Sequence, residues 1–339
     1  MNSILIIIFN IFLILFINSI FKKINFLIDK KELKHKSFVS KSLVPISGGF
    51  LIFINLLTFN SSHLVIFLSF LIFTLGIFSD LLIIKSPLKK FLIQLSIVIT
   101  FIFFIQISIF STKVFFIDFF IKNTLFSLFF TAFCLLIIIN GSNFLDGVNT
   151  LVCGYYILVI LAILYLGNYN LINYNFLEFY NIILPLLVIL FFNLFSKTYL
   201  GDSGTFLLSF TIGHYLIHLS NINLTPERYM SPIFVLLLLW YPAFENLFSI
   251  LRKIIIKKNP SRPDNFHLHH FLFMYINKII KHKNASNNLT GITINLFNFF
   301  IFLIGIQFYN KNDYLFYLVM FCIIFYTAFY FFLKKILKK

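Results

Sequence analysis

Acidic residues are scarce in this 339-residue chain: 11 Asp and Glu stand against 27 Lys and Arg, for a formal net charge of +16. Charged residues of both signs make up only 11%. A soluble domain carries about 25%, so an ordinary soluble globule is excluded. Disorder is excluded on the opposite ground, because it requires low hydrophobicity and 60% of the residues are apolar. Arginine is nearly missing, with Arg228, Arg252 and Arg262 the only three. Lysine in place of arginine, together with 51 Phe, matches codon use in an AT-rich genome, so the Phe excess is not read as an aromatic binding surface. The three cysteines, Cys134, Cys153 and Cys322, fall in apolar runs without paired spacing, which argues against a disulfide framework or a cysteine metal site. No nucleic-acid-binding module accompanies the basic excess, so no nucleic acid is expected as a partner. Topology and attraction to anionic lipid account for the charge. No repeat of 20–50 residues is visible.

Long hydrophobic runs are plentiful. Runs of about 18–20 apolar residues recur along the chain, each long enough to cross a bilayer core as a helix. They are apolar on every face, unlike the alternating strands of a membrane barrel. Eleven spans are expected, at roughly 3–20, 46–59, 63–79, 91–110, 124–140, 147–166, 180–195, 203–219, 232–251, 289–308 and 314–333; the short second one makes ten an alternative. The first lacks a basic leader and a small-residue cleavage site, and is read as a span. The expectation is an all-α, polytopic integral membrane bundle of about 10–11 transmembrane helices forming one domain over 1–339, with a basic loop at 252–288. One set of connections carries 23 of the 27 basic residues, and the other holds only Lys113, Lys122, Arg228 and Lys311. By the positive-inside rule the first set is cytoplasmic, with the N-terminus outside and the C-terminus inside.

The few acids therefore stand out. Asp80, Asp146 and Asp202 sit at ends of spans on the basic side, where a carboxylate avoids most of the cost of the bilayer centre. Three carboxylates on one membrane face could converge on a divalent cation that takes oxygen ligands beside phosphates. Asp80 follows Gly76 and Ser79 and precedes Lys85, Ser86, Pro87, Lys89, Lys90 and Gln94, so a metal and a phosphate could lie side by side; a helix end with a basic anchor reads equally well. Asn140, Gly141, Ser142, Asn143, Asp146 and Gly147 break the apolar pattern between two spans, as a binding element or a polar turn. Gly201-Asp202-Ser203-Gly204 opens an apolar span. That context excludes a protease nucleophile, and leaves a metal-binding Asp at a helix N-terminus or an N-cap. In the basic stretch, Glu245, Arg252, Lys253, Arg262 and Asp264 precede His267, His269 and His270. No further ligands are nearby to complete a tetrahedral zinc site. Imidazoles among Arg and Lys suit phosphate and sugar oxygens better, with a solvated loop as the plain alternative. Lys41 and Pro45–Gly49 form a fifth, weaker element.

Taken in order, these elements resemble the polyprenyl-phosphate N-acetylhexosamine-1-phosphate transferases. The resemblance covers about residues 29–275 and rests on P-x-S-G-G at Pro45–Gly49, G-x-x-S-D with S-P-x-x-K at Gly76–Lys90, N-x-x-N-x-x-D-G at Asn140–Gly147, G-D-S-G at Gly201–Gly204 and H-x-H-H at His267–His270. The H-x-H-H form is similar to the WecA/TagO branch rather than the muramoyl-pentapeptide branch. The resemblance implies transfer of a sugar-1-phosphate from a UDP-sugar to undecaprenyl phosphate, with release of UMP. It also implies use of Mg²⁺, with Mn²⁺ as an alternative, at the cytoplasmic face of a bacterial inner membrane. Asp202 matches the metal ligand and Asp80 the second Asp of an acidic pair that shares the metal or the chemistry. Asn143 and Asp146 match the third motif, and His267, His269 and His270 match phosphate contacts. Lys41, Lys89, Asn140 and Arg252 are further candidate substrate-binding residues. Two positions depart from the pattern: Ser79 stands where the family usually has Asp, and Glu245 where Asp is common. The other readings of such a chain are a transporter and a catalytically silent homologue, and whether it forms a homodimer stays open.

Overall fold

The protein is described here from a computed structural model covering residues 3–29, 43–59, 63–225, 227–260 and 264–337. Helices dominate. From the start they are α1 (Ser3–Ile24), α2 (Gly48–Phe59), α3 (His63–Asp80), α4 (Pro87–Ile105), the short α5 (Phe115–Ile121), α6 (Thr124–Leu145) and α7 (Leu151–Asn168). There follow α8 (Phe176–Leu194), α9 (Gly201–Ile222), α10 (Pro232–Leu238), α11 (Trp240–Ile255), α12 (Leu268–Ile280), α13 (Lys283–Gln307) and α14 (Asn312–Leu337). A two-residue antiparallel pair, β1 (Ile28–Asp29) with β2 (Val44–Pro45), precedes α2. Each of the eleven expected spans holds a helix, and the protein is a polytopic, all-α membrane protein. Among the described residues seven helices are long and apolar enough to cross a bilayer by themselves, and α10 with α11 makes an eighth if that bent pair is one span. Large apolar side chains such as Phe12, Phe103, Phe129 and Ile324 are exposed on the outside of the bundle, where lipid is the natural solvent.

Helix ends follow local chemistry. Ser86 caps α4 by accepting from the Lys89 N–H, with Pro87 in the first turn. Asn123, Asn175 and Ser231 cap α6, α8 and α10 in the same way. The α10–α11 pair bends by 72° at Leu239. Pro242 has no N–H for the Leu238 carbonyl one turn back, and the Tyr155 hydroxyl of α7 donates to that carbonyl instead, at 2.8 Å. The kink therefore has a cause in the chain and a partner that satisfies it.

The stretch 252–288 is not the loop the sequence implied. α11 runs on to Ile255, α12 occupies Leu268–Ile280, and α13 already begins at Lys283. Leu268, Phe271 and Leu272 are buried at spacings that put them on one helical face. That apolar face folds α12 onto the bundle, and the basic residues hid it in the sequence.

α9 is the hub, with 18 of its 22 residues buried. It is less apolar than its neighbours, and its polar side chains turn back on the helix: Thr205 donates to the Gly201 carbonyl at 2.9 Å and Thr211 to Leu207 at 2.8 Å. Small residues let α3 approach closely, as in many membrane helix pairs. A Cβ on Gly76 would come within 2.3 Å of Ser203 Cα. Gly76→Ala is therefore expected to force α3 and α9 apart and destabilise the protein by about 1–3 kcal/mol, read as a lower melting temperature of the detergent-solubilised chain; an unchanged value would contradict this packing.

Candidate active site

The N-terminus of α9 leaves backbone N–H groups without helical acceptors. Asp80, the last residue of α3, supplies them: its Oδ1 accepts from Asp202 N at 2.9 Å and its Oδ2 from Ser203 N at 3.0 Å. Gly201 makes room for this carboxylate. Its φ is +73°, and a Cβ there would lie 2.8 Å from Asp80 Oδ2. A negative charge at a helix N-terminus is also favoured by the helix dipole. Asp80 thus clamps two helices together through a carboxylate from one and backbone from the other.

The clamp aims the neighbouring side chains. Ser79, buried on α3, donates its hydroxyl to Asp202 Oδ2. Lys90, in the first turn of α4, reaches the same oxygen at 3.5 Å. Three separate helix ends, those of α3, α4 and α9, therefore meet at Asp202. The fifth motif arrives beside them. The Tyr199 backbone N–H donates to the Pro45 carbonyl at 2.9 Å, and Gly48 N returns a bond to the Tyr199 carbonyl at 3.1 Å. Lys89 is exposed next to Lys90. Lys41 lies outside the described residues.

The third motif closes the next side. The Thr205 hydroxyl of α9 lies 3.4 Å from Asn143 Oδ1, and Asp146 is the half-buried C-cap of α6. Asn140 sits one turn deeper and gives both amide hydrogens away, to Gln94 Oε1 at 3.0 Å and to the Leu136 carbonyl at 2.9 Å. It acts as a strut between α4 and α6. The turn after Asp146 is fixed by asparagines: Asn149 N donates to Asn287 Oδ1, and Thr150 N to Asn193 Oδ1, both at 2.6 Å.

The histidines adjoin this turn. The Phe144 and His267 rings lie 5.1 Å apart, and a Cβ on Gly147 would be 3.7 Å from His270 Nε2. His267 opens α12, with His269 and His270 in its first turn and all three buried. Neither ring nitrogen of His269 has a protein partner among the described residues. Burial, then the nearby His270 and His267, holds His269 well below the ordinary imidazole range, so it stands neutral with one donor and one acceptor. Arg252 is bound to Asp264, its Nη2 lying 3.0 Å from each carboxylate oxygen.

Sequence reasoning left two contributors out of the site. Glu245, noted only as an acid ahead of the histidines and a departure from the family's common Asp, is almost fully buried between His267 and Tyr326. Tyr326, deep in the last helix, gave no signal. Ser79 had been visible only as a missing carboxylate, whereas it holds Asp202 in place.

The donors suit one divalent ion of the magnesium kind. Such ions are commonly held by one or two carboxylates together with water and substrate phosphates. Asp202, with the Ser79 hydroxyl beside it, is the group that would hold such an ion. Among the described residues no group of three or more His, Cys, Asp or Glu is placed to cage a metal.

Comparison with known proteins first gives the class. Residues 62–220, which hold Asp80, Lys90, Asn143, Asp146 and Asp202, match the family model for glycosyl transferase family 4. Two relatives narrow it. The undecaprenyl-phosphate alpha-N-acetylglucosaminyl 1-phosphate transferase of Thermotoga maritima is 27% identical over 266 residues, covering 77% of this chain and 80% of that one. The probable undecaprenyl-phosphate N-acetylglucosaminyl 1-phosphate transferase of Bacillus subtilis is 26% identical over 284 residues, covering 77% and 75%. Over most of its length the chain is therefore similar to undecaprenyl-phosphate N-acetylglucosaminyl 1-phosphate transferases, and over residues 62–220 to glycosyl transferase family 4.

The basic rim of the site carries its own test. Burial alone would raise the Asp264 carboxyl, but the hydrogen bond from Arg252 and the charges of Lys253, Arg252 and His267 more than offset it and hold Asp264 below its ordinary value. A depressed carboxylate contributes stability above its unfolded pKa, near 4, and loses it as pH falls through the folded value. Between pH 8 and 5 the pairing of α11 with the 264–270 turn is expected to be constant, and below about pH 4 to loosen. Hydrogen exchange of residues 252–270, corrected for intrinsic rate, would show it; loosening between pH 7 and 5 would contradict it.

Proposed function

We propose that this protein transfers N-acetylhexosamine-1-phosphate from a UDP-sugar to undecaprenyl phosphate and releases UMP, as the first membrane step of a cell-envelope polysaccharide. The observation that carries the proposal is the meeting of Asp80, Ser79, Lys90 and Asp202 at one end of the bundle. The third motif and the histidines lie alongside. A lipid phosphate anchored at a membrane surface and a soluble nucleotide can both reach such an end. The basic residues of that end, against the sparse positive charge at the other, support a cytoplasmic site in a bacterial inner membrane.

Chemically the reaction exchanges one phosphoanhydride for another. An oxygen of the lipid phosphate attacks the sugar-bearing β-phosphorus. The bond from that phosphorus to the bridging oxygen breaks, and UMP leaves with the electron pair. The attacking phosphate is already ionised near neutral pH, so no carboxylate base is required, which is why Ser79 is tolerable. What the site must do is position two anions and neutralise their charge. In this reading the ammonium groups of Lys90, beside Asp202, and of Lys89 attract the lipid phosphate. Asp202, held by Ser79, would bind Mg²⁺, which when present neutralises the diphosphate as a Lewis acid. Asp80 keeps that carboxylate aimed by holding the helix beneath it. Asn143 lies against Thr205 of α9 and the Phe144 ring against His267, so the third motif joins the two groups, and in this reading His269 and His270 meet the nucleotide's phosphates.

The test is product formation by membranes containing the chain, given radiolabelled UDP-N-acetylglucosamine and undecaprenyl phosphate. Asp202→Asn is expected to lower the rate at least about 100-fold, the scale seen when one transition-state charge stabiliser is lost. Chelation of divalent cations is expected to stop the reaction, and added Mg²⁺ to restore it. A wild-type rate for Asp202→Asn, or in chelator, would exclude the metal role.

A further inference from the structure

Glu245 is a carboxylate with 1% exposure on a helix inside the bundle, and such a group is costly unless each oxygen is met by a donor. Both are met. His267 Nδ1 lies 2.8 Å from Oε1, and the Tyr326 hydroxyl donates to Oε2 at 2.8 Å. A carboxylate oxygen facing a ring nitrogen at this distance receives its N–H, so the plane of the His267 ring is set from that side. On the other side His267 Nε2 faces Asp264 Oδ1 at 3.6 Å. The remaining histidines are organised around this fixed ring: His269 stacks parallel to it at 5.4 Å, and His270 stands edge-on at 5.4 Å.

Tyr326 comes from α14, which carries none of the sequence motifs. Its ring is wedged against Phe244 at 5.0 Å and Phe248 at 5.3 Å and stacks on Tyr330. The hydroxyl is thus delivered to Glu245 by a ring with little freedom to move. We propose that Glu245 and Tyr326 are positioning residues of the donor-nucleotide subsite: they fix His267, and through it the His267–His270 turn that receives the diphosphate of the UDP-sugar. This rests on the function proposed above and extends the site to the last helix of the chain.

The experiment uses the full chain purified in detergent. Steady-state transfer is measured with UDP-N-acetylglucosamine and undecaprenyl phosphate, and UDP-N-acetylglucosamine binding is titrated by calorimetry in parallel. Tyr326→Phe keeps the ring and removes one hydroxyl. It is expected to raise both KM and Kd for the nucleotide about tenfold, the loss of one hydrogen bond to a charged group. kcat is expected to change less than about threefold, with an unchanged melting temperature. Glu245→Gln is expected to act in the same direction. Because both act through one ring, the double variant should be no worse than Glu245→Gln alone. Tyr330→Phe, which alters the stacking partner, should leave KM at the wild-type value. A Tyr326→Phe protein with wild-type KM and Kd overturns the proposal. So does one whose kcat, affinity and melting temperature fall together, since that is the signature of a merely structural role. A wild-type chain that neither binds nor turns over the nucleotide overturns the functional reading itself, and the positioning role with it.

Discussion

A buried helix must find acceptors for its first N–H groups, and in this protein one carboxylate provides them. Asp80 reaches from the end of α3 to the start of α9 and accepts from two successive backbone amides. Everything else in the site is referenced to that junction. It fixes where Asp202 begins its helix, brings Ser79 against it, and leaves Lys90 within reach of the same oxygen. The junction can form only because Gly76 and Gly201 carry no side chain where the two segments meet. A carboxylate that looks catalytic in the sequence is therefore a fastener that gives this end of the bundle its shape.

The bundle separates its tasks by depth. Within the membrane, apolar side chains face outward, and the polar ones on α9 are satisfied by their own helix. At one end, helix termini supply unsatisfied backbone, and acids, lysines and histidines collect around them. A second polar layer of Asn149, Asn193 and Asn287 holds the α6–α7 turn against α8 and α13. The candidate site sits on rigid elements, as the proposed orienting of two anions requires.

Much of this was legible in the sequence, because in a chain so poor in acids each carboxylate at a span boundary is informative. The helices at Asp80, Asp146 and Asp202 end or begin near where hydropathy alone puts them. Other features were not legible, for physical reasons. Asn149, Asn193 and Asn287 look like compositional noise in an Asn-rich chain, yet they are struts, and Asn140, read as a binding residue, is another; only contacts distant in sequence reveal this. The kink at Leu239 depends on Tyr155, 84 residues away by number. α12 is amphipathic, but its charges and flanking prolines resemble a loop. Tyr326 is one aromatic among many, and its role depends on a single hydroxyl contact with Glu245. Ser79 seemed a deficit when compared with an acidic pair; the structure gives it a positive task, holding Asp202.

The central claim is that residues far apart in sequence form one nucleotide-binding end of the bundle. Photolabelling the purified chain with an azido-UDP-N-acetylglucosamine analogue, followed by peptide mapping, tests it most directly. Labels should fall within 140–150, 197–205 or 264–272 and be displaced by unlabelled UDP-N-acetylglucosamine. Displaceable labelling confined to the opposite end, at 108–123 or 223–231, would contradict the account.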